Sequence, residues 1–242
     1  QGIEIDGLLR FFDNNFYYRR PVIKSKVSFR NYSVVDQFTF ARVNAKNEVK
    51  QVIPGAFTFA KLSIDEFYHN EERLVFDIAQ ILHKEAERLV QEGAKAIQID
   101  EPSLCAHPDK LKLVEESLKI ITGETQAKFA LYLYFGSIKE LVPELFELPV
   151  DIIGADVVSK KENLDALLEY DGKKEIGLGC VDARSIRMES QAELIALFEK
   201  VAKKIPADKI YINPSCGLEF LPHAEAQNKL KNMVGAVRKF SR

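Results

Sequence analysis

Apolar positions along the chain fall into two alternating patterns. Short continuous runs occur at residues 49–53, 96–99, 128–135, 151–158, 175–180 and 209–213. Each is short enough for a buried strand. Between them, apolar residues recur every three or four positions, the period of an amphipathic helix. The clearest case is Leu74, Val75, Ile78, Ile81, Leu82, Ala86, Leu89 and Val90, closed by Gly93. Helical patterns also follow His107 and cover residues 138–146, 163–170, 191–205 and 224–240. Strands alternating with helices predict an α/β protein with a parallel sheet. Six such strands are visible, and residues 2–6 read as the end of another. The expected fold is a (β/α)8 TIM barrel forming one domain over residues 1–242, its first strand–helix unit absent or upstream. An open doubly wound sheet is the alternative, but the first half offers no phosphate loop.

The front of the chain breaks the alternation. Gly7 suits a turn before Leu8 and Leu9. Residues 13–21 are aromatic and basic, as expected of a loop over a barrel mouth, where Arg19 and Arg20 would meet an anionic group. Alternation at 27–30 and 37–40 predicts an antiparallel excursion, so that 14–45 reads as a loop or excursion near the mouth. Gly55 permits a tight turn or close ligand approach, beside Thr58 as a hydrogen-bond donor. Ser63 and Glu66 have the spacing of a capping box and predict a helix start there.

The strand ends carry the candidate chemistry. The run at 96–99 stops in Asp100 and Glu101, and Pro102 ends the strand pattern. Paired carboxylates there can bind an ammonium, hold an arginine, move a proton, or simply cap the next helix. Later strands end near Tyr132 and Tyr134, Asp156, Asp182 and Cys216. A barrel gathers such ends on one face. Arg184 would bind a substrate carboxylate or join an ion pair on the rim.

Composition narrows the classes of function. The 34 basic and 36 acidic residues leave a net charge of -2, which gives no reason to expect a nucleic-acid partner. No apolar run approaches a membrane span, and the first residues do not resemble a secretion signal. Three widely spaced cysteines, Cys105, Cys180 and Cys216, suit a reducing compartment, so a cytoplasmic location is expected. His69, His83, His107 and His223 form no sequence-local metal cluster.

Four ordered motifs resemble the cobalamin-independent methionine synthase family: residues 6–10 (DGLLR), 53–58 (IPGAFT), 97–102 (IQIDEP) and 213–218 (NPSCGL). The segment 229–234 (KLKNMV) also fits. The resemblance implies a TIM barrel that transfers a methyl group from methyl-tetrahydrofolate, or another methyl carrier, to the homocysteine thiol. It also implies a zinc ion held by a His and a Cys on the fifth barrel strand, a Glu on the sixth and a Cys after the eighth. Cys216 matches the last ligand and Asp156 the Glu position, whereas Tyr132 and Tyr134 stand where His and Cys are expected. No zinc or other cofactor is therefore assigned, unless His107 or His223 completes the set. Asp100 takes the substrate ammonium, and Asp100, Cys216 and Asp182 are the catalytic candidates. Glu101, Arg184, Arg19, Thr58, Tyr132 and Tyr134 are the further substrate-binding candidates. The implied ligand is homocysteine or a related small amino acid. The Tyr134-Phe135-Gly136 and Arg184 segments resemble the family's amino-terminal barrel, which lacks zinc ligands. Two functions follow. One is methyl transfer beside a zinc-bearing homologous subunit. The other is a noncatalytic barrel acting as a structural or regulatory partner.

Overall fold

The computed structural model describes residues 1–241. The chain divides into two compact units, one of Gln1–Tyr132 with Glu147–Asp151, the other of Leu133–Phe146 with the chain from Ile152 onward.

The first unit opens with a hairpin of β1 (Ile3–Arg10) and β2 (Tyr17–Ile23), paired antiparallel. Gly7 makes no turn. It lies where the register shifts between Ile5 and Leu8, so an extra residue of β1 is absorbed as a bulge. The reversal comes later, where Phe12 and Asp13 have positive φ of 46° and 56°. Asn14 Nδ2 donates to the Phe11 carbonyl at 3.0 Å, and the Phe11 ring packs edge-on against Phe16 and Tyr18. Helix α1 (Val35–Asn44) contains the 37–40 segment expected as a strand. Phe38 is buried and Phe40 exposed there, an alternation compatible with either period. The buried Glu85 carboxylate decides it by accepting the amides of Ser33 and Val34, both at 2.7 Å, just before the helix.

Strand β3 (Lys50–Pro54) leads to α2 (Ala56–Lys61) and to β4 (Ile64–Asp65), which pairs parallel to β2. Ser63 does not cap a helix; its hydroxyl donates to the Phe59 carbonyl. Helix α3 (Glu71–Gln91) starts instead at Asn70, whose side chain accepts the Arg73 amide. Its predicted apolar face is buried at Leu74, Val75, Ile78, Ala86 and Leu89, and Gly93 follows its end with φ 92°. Strand β5 (Ala96–Asp100), α4 (Leu111–Thr122) and β6 (Lys128–Leu133) follow. β3, β5 and β6 are parallel, with Pro54 opposite Asp100 and Asp100 opposite Tyr132. Ile53, Ile97, Ile99, Phe129 and Leu131 fill one face of this sheet and are buried. By alternation, Lys50, Val52, Gln98, Asp100 and Tyr132 occupy the other.

The second unit repeats the pattern with β7 (Ile152–Asp156), α5 (Glu162–Leu167), β8 (Glu175–Val181), α6 (Gln191–Ala202), β9 (Ile210–Pro214) and α7 (His223–Phe240). β7, β8 and β9 are parallel. Where a helix was expected at 138–146, the chain forms only short 3₁₀ turns, interrupted at Pro143, which lacks an amide donor. The fold is therefore α/β with six parallel strands, three in each unit.

Candidate functional site

In the first unit, Asp100 and Glu101 leave β5 in opposite directions and do different work. Glu101 is 1% exposed. Its oxygens accept the Phe57 amide at 2.9 Å, the Thr58 amide at 2.7 Å and the Thr58 hydroxyl. Thr58 Oγ1 in turn accepts the Ser103 amide at 3.1 Å. This arrangement ties the start of α2 to the turn after β5. A Cβ on Gly55 would lie 2.1 Å from the Glu101 carboxyl carbon, so glycine is needed there to admit the carboxylate. Burial pushes the Glu101 carboxyl up to about 7; the Thr58 and Phe57 hydrogen bonds oppose that rise and the Asp100 charge adds to it. Glu101 and Thr58 were expected to touch substrate. Both are instead buried against each other and hold the backbone.

Asp100 stays at the end of the sheet, half-buried, and its Oδ1 accepts Gln98 Nε2 at 2.7 Å. The Lys50 ammonium lies 4.4 Å from the centre of the Tyr132 ring. Burial of that ammonium pulls its pKa below the ordinary lysine value, and the Asp100 charge opposes the shift. Tyr132 is buried. Asp100, Gln98, Lys50 and Tyr132 thus line one face of one sheet. Arg19 stands exposed on β2, in register with Leu8, on a different sheet from Asp100.

In the second unit, Asp156 ends β7 and is 1% exposed. Its Oδ1 accepts the amides of Val158 at 2.9 Å and Ser159 at 3.0 Å, and its Oδ2 accepts the Ser159 hydroxyl. Asn163 is fully buried; it accepts the Ile138 amide and donates to the carbonyls of Gly136 and Asp156. It thereby holds two strand-end loops together. Tyr134 is buried with its ring edge-on to Phe135 at 4.6 Å. Phe135 ends the strand pattern with φ 66° and lies 5.2 Å beneath the Arg184 guanidinium. Cys216 follows β9, and burial pushes its thiol up to about 12, with Asp156 and Glu219 adding to the rise and Ser215 and Arg184 opposing it. Asp182 accepts the Arg184 amide and donates its own to Glu189. It lines a cavity of about 250 Å³ with Cys180, Arg187 and Leu194. Glu189 meets the fully buried Lys229 through both oxygens at 3.0 Å. Sequence reasoning missed Lys50, Asn163 and this ion pair.

The donor set does not fit the family's zinc ion. Two neutral phenols replace an imidazole and a thiolate, and both Asp156 oxygens already serve the loop after β7. His107 packs edge-on against Phe57, and His223 is exposed at the start of α7. Among the described residues, no group of three or more His, Cys, Asp or Glu side chains is placed to hold a metal. Nor is any helix long and apolar enough to cross a membrane.

Comparison with known proteins places this geometry in context. The family model described as "Cobalamin-independent synthase, Catalytic domain" matches residues 13–239. A methionine synthase of Saccharolobus solfataricus is 35% identical over 236 residues, covering 97% of this chain and 71% of the relative. That of Thermococcus kodakarensis is 33% identical, covering 98% and 70%. Among solved structures, a B12-independent methionine synthase from Shewanella sp. W3-18-1, in complex with selenomethionine, has a TM-score of 0.88 at 24% identity, covering 98% of this chain and 76% of that one. The putative vitamin-B12 independent methionine synthase from Listeria monocytogenes has a TM-score of 0.74 at 16% identity, covering 97% and 75%. The ordered motifs, the parallel α/β units and these matches agree: the chain belongs to the cobalamin-independent methionine synthase family.

Proposed function

We propose that this chain is a noncatalytic member of its family that acts as a structural or regulatory partner of a zinc-bearing homologue and keeps an amino-acid pocket at Asp100. The observation that carries the proposal is the fate of the zinc-ligand positions. Asp156 is committed to capping the loop after β7, and phenols stand at 132 and 134. A thiol is activated by a stable ligand set with one open position, and these residues supply neither imidazole nor paired thiolates. The pocket face, by contrast, retains Asp100 with Gln98 fixing one of its oxygens. In this role the chain's own residues bind and orient an amino acid, and a partner supplies the methyl-transfer chemistry. Barrel closure, with a further strand–helix unit beside these six strands, belongs to the same proposal.

The test is a mixing experiment. Methyl transfer to homocysteine is measured for this chain, for a zinc-bearing homologue, and for the two together, with light scattering to detect a complex. The proposal expects no turnover by this chain alone, and a stable complex or an altered rate in the mixture. Full activity by this chain alone would overturn it.

A further inference from the structure

Lys50 begins β3, opposite Ala96, whereas Tyr132 lies opposite Asp100, four residues further along β5. Four strand residues span about 13 Å, and β5 separates the two strands, adding about 10 Å sideways. An extended lysine covers only part of that separation. The 4.4 Å approach of its ammonium to the Tyr132 ring therefore needs a strongly curled sheet and a side chain running up the face towards Asp100. The face opposite the buried isoleucines consequently carries a carboxylate and an ammonium beside one aromatic ring. Gln98 Nε2 holds Asp100 Oδ1 at 2.7 Å, and the Gly55 amide holds the Asp100 carbonyl at 2.8 Å, so the acid is fixed on both sides. Val52, 41% exposed between Lys50 and Pro54, provides apolar surface on the same face.

We propose that Lys50 is the anion-holding residue of this face, accepting the carboxylate of an α-amino acid whose ammonium meets Asp100, with the side chain against Val52 and Tyr132. The inference rests on the amino-acid pocket proposed above and adds the residue that sets its ligand class. With Lys50 the face selects zwitterions; with Asp100 alone it would accept any small amine. Opposite charges at two fixed points discriminate well because a ligand lacking either group leaves a partly desolvated charge unanswered.

The test titrates the intact chain with L-methionine, with L-homocysteine, and with 3-(methylthio)propylamine, which keeps the ammonium and thioether but lacks the carboxylate. Lys50→Met is expected to weaken methionine binding about ten- to hundredfold, the size of one charge-assisted hydrogen bond, and to leave the amine within about twofold. Lys50→Arg should restore most methionine affinity, which a merely structural prop for Tyr132 would not require. Asp100→Asn should weaken both ligands. The inference is overturned if Lys50→Met weakens both ligands equally or neither. It is also overturned if neither amino acid binds the wild-type chain. That last result would leave the partner role standing, since complex formation in the mixing experiment is read independently of ligand.

Discussion

Two strand ends, one in each unit, place a carboxylate in a similar position and use it differently. After β5 the chain presents two acids in succession. Glu101 takes the backbone work, accepting two amides and a hydroxyl, while Asp100 stays on the sheet face beside Gln98 and Lys50. After β7 there is one acid, and Asp156 must do the backbone work itself. The difference lies in the division of labour. A second carboxylate lets the first keep a ligand-facing role, whereas a single one is consumed in shaping its loop. The contrast locates the retained recognition chemistry in the first unit and the lost metal chemistry in the second.

The largest expected effect probes the framework beneath the second unit's loops. Lys229→Met leaves the Glu189 carboxylate facing a buried apolar side chain, and a broken buried pair costs about 3–5 kcal/mol. Urea denaturation measures it; a loss below about 1 kcal/mol would mean that Glu189 finds water instead.

Next comes the first unit's structural acid. Glu101→Leu leaves the Phe57 and Thr58 amides and the Thr58 hydroxyl without an acceptor, for an expected loss of about 3 kcal/mol. In the second unit, Asn163→Ala removes three buried hydrogen bonds and should cost about 2 kcal/mol while loosening the loops at 136 and 158. Amide hydrogen exchange at Ile138 reports that loosening directly.

A smaller effect separates the two acids by pH. The Glu101 carboxyl is raised from 4.5 to about 7, so the folded state binds its proton more tightly than the unfolded chain. Its contribution to stability is then fully present below about 4.5 and is lost as pH rises through about 7. Thermal unfolding followed between pH 5 and 8 should show that decline, and Glu101→Gln should flatten it. An unchanged slope in Glu101→Gln would assign the decline to other groups.

Much of the framework was legible in the sequence. The six parallel strands and the apolar face of α3 followed from periodicity, because burial enforces it. The front of the chain was not legible. Gly7 marks a bulge, the 37–40 alternation belongs to a helix set by Glu85, and Asn70 rather than Ser63 starts α3. In each case a contact distant in sequence, or a competing nearby cap, decided between two locally acceptable structures. The site was half legible. The Asp100-Glu101-Pro102 stretch stood out, but which acid turned inward depends on Gly55 and the α2 amides lying across the register. Lys50 had no signal of its own. It becomes visible only when Pro54 is paired with Asp100 and the alternate positions of three strands are laid side by side.

The most direct test of the contrast is zinc binding by the intact chain. Zinc is titrated into wild-type protein and Cys216→Ala at neutral pH, and the metal retained after dialysis is counted. The account predicts no stoichiometric zinc in wild-type protein and no difference between the two. One tightly held zinc per chain, lost on Cys216→Ala, would contradict it.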